Sequence, residues 1–368
     1  MLIVVDARKW NDSGIGRYLR EVVPRVVARS RHDFVLATSR MSSDTASFSG
    51  LPTDASLLPD RPLTVSEQWS LSRVNAGRNL LWTPSLATPL LAHRPFVSTV
   101  HDVAQLALPP QAIGGRFVRA ASLCHLKAIR RRAGLVLFNS EFTRAEFIRF
   151  VGHPEGESLV TPLGVGEDFL RVESHPGKLR YIGPAPYFLA IGNIKPHKNL
   201  LRLIRAFEAV ADRLPHDLVL LGSASNLRTL DGRALAQIQR LSPRVKWISD
   251  VDDTRMRHFI LGAVALICPS LYEGFGLTPL EGLAMGARVI CSDIGAHREV
   301  CGPLGCYFDP HSVASIAESL IDAANRSAGD STFSGRAIAH ARTFTWDRTA
   351  GLTVDALDSF ADRVTAGC

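Results

Sequence analysis

Glu273 and Glu281 bracket a turn with two glycines, Glu273-Gly274-Phe275-Gly276, which runs into Leu277-Thr278-Pro279-Leu280-Glu281. The apolar run Ala263 to Cys268 ahead of it reads as a buried parallel strand, and Arg288 to Cys291 beyond it as the next one. Between them a helix is expected, with Thr278 as its N-cap and Pro279 in its first position. A glycine turn feeding a helix N-terminus presents unpaired N–H groups and the positive end of the helix dipole, which suits a phosphate. Carboxylates accept hydrogen bonds from hydroxyls, so a phosphate carrying sugars on both sides fits between the two glutamates. On that geometry Glu281 holds a ribose and Glu273 meets a second sugar. The spacing Thr278-x-x-Glu281 is equally that of a capping box, in which Glu281 only satisfies the N-cap amide.

Two other stretches pair a strand end with chemically useful side chains. After the strand Tyr187–Ile191 comes Gly192-Asn193-Ile194-Lys195-Pro196-His197-Lys198-Asn199, followed by a helix from Leu200 to Leu214. Lysines at such a place act as point charges for a diphosphate, or simply solvate a surface loop. The strand Phe96–Val100 ends in His101-Asp102. Ligands of open α/β sheets bind at the carboxyl ends of strands, which places His101 well; the plain alternative is a histidine that bonds locally. Gly14-Ile15-Gly16-Arg17-Tyr18 follows the first strand, Leu2–Asp6, and opens a helix, but the third glycine of a dinucleotide fingerprint is missing. Asp250-Val251-Asp252 has the D-x-D pattern of some metal sites, yet aspartates commonly cap a following helix, here Arg255–Ala263.

The stretch PSLYEGFGLTPLEGLAMG, with seven residues between Glu273 and Glu281, closely resembles the E-x7-E motif of retaining GT-B glycosyltransferases of family 4. GNIKPHKNL, STVHDVAQL, FNSEFTRAEF and FTWDRTA resemble segments of the same family, and the resemblance is strongest over residues 187–300. It implies an α/β GT-B fold: two doubly wound Rossmann-like domains facing a central cleft, with a C-terminal helix crossing back to the first. The expected parts are an acceptor domain over 1–175, a nucleotide-sugar domain over 176–345, and the returning helix over 346–368. The implied reaction moves a hexosyl unit, with retention, from a nucleotide-sugar (GDP-mannose or a UDP-sugar) to a hydroxyl of a lipid-linked or polysaccharide acceptor. His101, Lys198 and Glu273 would carry catalysis. Gly14, Gly16, Asn193, Lys195, Val251, Gly274, Phe275, Gly276, Leu277 and Glu281 would hold the donor. The family often has Arg directly before the lysine; His197 stands there, and Lys195 is the cation that could replace it. No metal or other cofactor is required if Lys198 and the helix N-terminus neutralise the departing diphosphate. The pairing of GIGRY with GNIKPHKNL looks like bacterial polysaccharide-assembly mannosyltransferases. A non-catalytic nucleotide-sugar-binding subunit is the second reading. An NAD-dependent oxidoreductase is the third, and it would need a fuller glycine fingerprint.

These sites must be positioned by a chain of 368 residues, 46% hydrophobic and 21% charged, which is enough for two domains with real cores. The proline-rich stretch 171–186 reads as the linker between them, and 41–63 as loop. No run of about 18 apolar residues appears, and Met1–Val5 reads as a strand rather than a signal peptide. Six cysteines without C-x-x-C spacing point to a reduced, cytoplasmic protein. The net charge of +7 favours anionic partners, with no nucleic acid expected among them. Arg116–Arg132 is densely basic, with Arg116, Arg119, His125, Lys127, Arg130, Arg131 and Arg132 interleaved with apolar residues. Such a helix is either a solvated face or one that rests on the anionic inner surface of a membrane.

Overall fold

A computed structural model describes residues 1–12, 14–38, 51–54, 58–59, 64–76, 79–90, 95–171, 185–222, 231–249, 251–325 and 331–366. Most of the linker stretch 171–186 and of the loop 41–63 lies outside them, as does Asp250. The chain forms two units, one of residues 1–164 with 345–368, the other of 165–344. The second unit starts at Val165, ahead of the expected residue 176, because the Val165 N–H donates to the Phe344 carbonyl at 3.1 Å and closes that unit on itself.

Unit 1 strings together β1 (Leu2–Asp6), α1 (Gly14–Val27), β2 (Asp33–Ala37), β3 (Thr53–Asp54), α2 (Val65–Ala76), β4 (Leu80–Thr83), β5 (Phe96–Val100), α3 (Ala104–Ala107), α4 (Arg116–Arg132), β6 (Ala133–Phe138), α5 (Glu141–Val151) and β7 (Glu157–Val160). All its strand pairings are parallel, in the order β3-β2-β1-β4-β5-β6-β7. The central strands are near-continuous apolar runs because both faces of the sheet are covered. Trp82 on β4 and Phe96 on β5 are fully buried, each stabilising by roughly 1.5–3 kcal/mol.

Unit 2 repeats the plan with α6 (Glu167–Leu170), β8 (Tyr187–Ile191), α7 (Leu200–Glu208), β9 (Asp217–Leu221), α8 (Gly232–Arg240), β10 (Val245–Ile248), α9 (Asp253–Gly262), β11 (Ala265–Cys268), α10 (Leu277–Ala284), β12 (Val289–Ser292), α11 (Gly295–Cys301), β13 (Cys306–Phe308), α12 (Val313–Asn325) and α13 (Ser331–Ala341). Its sheet is again parallel, in the order β10-β9-β8-β11-β12-β13. The predicted helix 200–214 is shorter: α7 ends at Glu208, and Ala211–Arg213 is a separate 3-10 turn. Its inward residues Leu203, Ile204 and Phe207 join Phe188, Leu218 and Ile267 in the core.

The last helix, α14 (Trp346–Ala366), belongs to unit 1. Phe360 lies over Gly134 of β6, where a Cβ would fall 2.3 Å from the phenyl Cζ, so only glycine lets the helix this close. Asp358 accepts a hydrogen bond from Ser30 Oγ at 2.5 Å, and Thr349 donates to the Pro162 carbonyl at 2.5 Å. Among the described residues, no helix is long and apolar enough to cross a membrane.

Candidate active site at the strand ends

In a doubly wound sheet the ligand crevice opens where strand order reverses. For unit 2 that point lies between β8 and β11, whose trailing loops carry the two predicted motifs. The loop after β8 makes a 3-10 turn, Pro196–Lys198, and then Asn199 with a left-handed φ of 58°. The buried Asn199 amide donates to the carbonyls of Pro269 (3.0 Å) and Pro310 (2.8 Å), and Leu271 N–H donates to the His197 carbonyl at 2.8 Å. The two loops are thereby fixed to each other. Lys198 Nζ meets Glu273 Oε1 at 2.5 Å, and Ser270 Oγ donates to the same oxygen at 2.6 Å. Burial alone would push Glu273 up, but Lys198 and the Ser270 hydroxyl outweigh it and hold the carboxyl at about 2. Both side chains keep 24% of their surface, so the pair is reachable from solvent. Burial first, then the charge of Lys198, brings His197 down to about 4; it is neutral, so it does not supply the second cation often found there. Lys195 is half-buried on the same turn, and its backbone N–H donates to the Asn193 carbonyl at 2.7 Å.

The helix after the glycine turn starts two residues earlier than expected. Its N-cap is Gly276, at a φ of 110°, and Thr278 lies inside the first turn. The capping-box reading of Thr278 and Glu281 therefore fails: a left-handed glycine, with no side chain, begins α10. Leu277 is its first helical residue, and Glu281 sits one turn in, 4% exposed. Gly274, Phe275 and Gly276 form the turn itself. The Phe275 ring is buried and packs edge-on against Phe344 at 6.0 Å, which anchors the turn. His297, which sequence reasoning passed over, lies beneath the turn on α11. Its Nδ1 is 3.1 Å from the Ser292 carbonyl, and a Cβ on Gly276 would come within 3.3 Å of its Cδ2. Burial lowers its pKa and keeps it neutral. Ser270 was also missed; its only sequence signal was its place three residues before Glu273. Val251 follows β10, two strands away from β8 along the same edge, and is not drawn into the Lys198–Glu273 cluster. Asp252 caps α9 by accepting the Arg255 N–H at 2.7 Å, the capping role expected for this run. Among the described residues, no group of three or more His, Cys, Asp or Glu side chains is placed to hold a metal ion.

In unit 1, strand order reverses between β1 and β4, with β5 next in the sheet. His101 at the end of β5 packs edge-on against Tyr18 at 4.8 Å. Its carbonyl accepts from Asn139 Nδ2 at 2.7 Å and Thr143 Oγ1 at 3.4 Å, which leaves the ring as the part with chemistry to offer. Burial lowers its pKa to about 4. A cavity of about 250 Å3 opens here, lined by Lys9, Ile15, Leu86, His101, Gln105 and Val118 among others. In the FNSEF segment, Ser140 caps α5 by accepting the Thr143 N–H at 2.9 Å. Gly16 is required sterically, since a Cβ would fall 2.5 Å from the Trp10 carbonyl oxygen; Gly14 has open space around it.

Residues 173–336 match the family model of glycosyl transferases group 1. Unit 2 carries a group 1 glycosyltransferase domain. The glycosyltransferase is similar to O-antigen chain mannosyltransferase B of Escherichia coli, 28% identical over 71% of this chain and 69% of that protein. It is also similar to the serotype-specific mannosyltransferase WbdA of Escherichia coli, 26% identical over 70% of this chain but only 33% of WbdA. Among solved structures, Anabaena HepE in complex with UDP-glucose superposes with a TM-score of 0.77 at 18% identity, covering 98% of this chain and all of that one. That likeness shows the fold: the glycosyltransferase is α/β, of the GT-B type, with two parallel doubly wound units.

Proposed function

We propose that this enzyme is a retaining hexosyltransferase that takes a mannosyl or related unit from a nucleotide-sugar, GDP-mannose or a UDP-sugar, to a hydroxyl of a lipid-linked or polysaccharide acceptor. The observation that carries the reading is the Lys198–Glu273 pair at the reversal point of unit 2, beside the glycine turn that starts α10. In the structure the two side chains satisfy each other. With donor bound, Lys198 turns to the diphosphate, and its charge gains value as the leaving group departs. Glu273, released, accepts hydrogen bonds from hydroxyls of the transferred sugar, and Glu281 from the ribose. The names of the relatives favour mannose, and the UDP-glucose bound to HepE keeps a uridine donor in play. The 1–175 region takes the acceptor, with His101 as its catalytic residue, and the basic helix α4 brings the enzyme to the inner face of an anionic membrane.

A panel of GDP- and UDP-sugars tests this, read by thermal shift and by slow hydrolysis without acceptor. One donor is expected to raise Tm and to be hydrolysed, and its product to keep the donor's anomeric configuration by NMR. A panel in which none does either overturns the reading.

A further inference from the structure

Three large apolar side chains of unit 1 stand almost bare: Val65 is 88% exposed, Trp69 65% and Phe117 84%. Val65 and Trp69 lie one turn apart on α2. Thr64 starts this helix by accepting the Glu67 N–H at 3.2 Å, and its other face carries Glu67, Leu71, Val74 and Asn75 into the interior. The helix cannot simply roll its apolar stripe inward. Glu67 is fully buried and paired with Arg8 at 2.8 Å, and Arg8 is in turn held by Asp6 at the end of β1. Gln68 is bonded on both sides to the segment 88–90, to the Thr88 carbonyl (3.2 Å) and the Leu90 N–H (2.8 Å). Thr88 Oγ1 also meets His125 Nδ1 of α4 at 3.2 Å, so α2 and α4 are braced on one segment.

The exposed stripe of α4 runs Phe117, Ala120, Cys124, Lys127, Arg131, while His125, Leu126 and Ile129 are buried. The structure therefore redraws the basic stretch. Arg130 is engaged with the His153 carbonyl and Glu155, and Arg119 with the Leu108 carbonyl. The outward cations are Arg116, Lys127 and Arg131 on α4, together with Arg73, which lies over the Trp69 ring at 5.5 Å. No acidic residue lies on the α4 stripe.

We propose that the α2–α4 face of unit 1 docks on an anionic lipid bilayer, with Val65, Trp69 and Phe117 entering the interface and Arg73, Arg116, Lys127 and Arg131 pairing with headgroups. Aromatic and aliphatic side chains ringed by cations are the composition of an interfacial helix pair, and the positive ring selects an anionic surface over a neutral one. This rests on the reading that places the enzyme at a membrane and extends it to α2, which no charge pattern marks.

The test uses the full chain and vesicles of phosphatidylglycerol with phosphatidylcholine, against phosphatidylcholine alone. Trp69 is the reporter, since Trp10, Trp82 and Trp346 are buried and Trp247, on β10 of unit 2, is half-buried. Brominated lipid is expected to quench the fluorescence of the wild type, and the quenching to disappear in Trp69→Phe. Trp69→Ser with Phe117→Ser is expected to weaken co-sedimentation by at least about tenfold, and Lys127→Gln with Arg131→Gln by about fivefold per charge removed, with a reduced salt dependence. Hydrolysis of a soluble donor should stay unchanged in all of these variants, so a failure here is distinguishable from a failure of the transferase reading. Equal binding to neutral vesicles, no quenching, or a serine pair that changes the oligomeric state instead of vesicle binding would overturn the proposal.

Discussion

The two units use one scaffold and differ in what their loops put at the reversal point. In unit 2 the loops after β8 and β11 bring a cation and a carboxylate within 2.5 Å, next to a helix that starts on a bare glycine. In unit 1 the corresponding place holds a neutral histidine against a tyrosine ring, over a cavity where apolar Ile15, Leu86 and Val118 alternate with polar Ser85, Gln105 and Ser122. A parallel doubly wound sheet thus sets where a ligand binds, while the loop residues decide what charge it carries. On the proposed function, unit 2 takes the anionic diphosphate and unit 1 a neutral, hydroxyl-bearing group.

Removing the cation should break this contrast most severely. Lys198→Ala is expected to cut transfer by at least about a hundredfold, because it deletes a charge whose value grows as the diphosphate leaves. It also strands Glu273, whose carboxyl sits at about 2 largely through that lysine. Transfer near the wild-type rate in this variant would mean that the unit 2 site is not anion-directed.

The carboxylates sharpen the contrast within unit 2. Glu281→Gln should weaken nucleoside diphosphate and nucleotide-sugar alike, by about tenfold, if its carboxylate holds a ribose through charge-assisted bonds. Glu273→Gln should leave nucleoside diphosphate affinity unchanged or improved, since Lys198 is then free, yet depress transfer. Calorimetric titration of both variants decides; a large loss of diphosphate affinity in Glu273→Gln would reverse the assigned roles.

The smallest effect separates the units by pH. His101 titrates near 4 in the folded chain against 6.5 when unfolded, so the unfolded state takes up its proton first and stability falls as pH drops from 6.5 to 4. Glu273, at about 2 against 4.5, loses its contribution only as pH falls below 4.5 towards 2. His101→Gln should make the decline in Tm between pH 6.5 and 4 shallower, though not flat, because His197 titrates in the same window. An unchanged slope would show that the unit 1 histidine is not held neutral by burial.

That Lys198, Glu273 and His101 follow the ends of strands was legible in the sequence, because an apolar run stops visibly where charged or turn-forming residues begin. The central strands were legible for the same reason, as apolar runs of the right length. What escaped was set by backbone handedness and by distant packing. Thr278 has the right side chain for a cap, but the left-handed φ of Gly276 starts the helix first, and no periodicity records a sign of φ. Ser270 and His297 matter only through neighbours that the fold supplies. The edge strands Glu157–Val160 and Cys306–Phe308 are short and partly exposed, so they lack the apolar signature. Helix α2 hid because its inward side carries Glu67 and Asn75, buried polar residues that only Arg8 and the fold justify.

The return of α14 to unit 1 has a consequence for synthesis. A nascent chain that has emerged only as far as Gly164 holds every strand of the first sheet but not the helix that covers Gly134 and caps the end of α1 through Ser30. Unit 2, contiguous from Val165 to Phe344, is complete on the ribosome before its predecessor is. The first sheet therefore waits, with apolar surface uncovered, for the whole of the second to be translated, and a stop codon placed just before Trp346 would leave it in that state permanently.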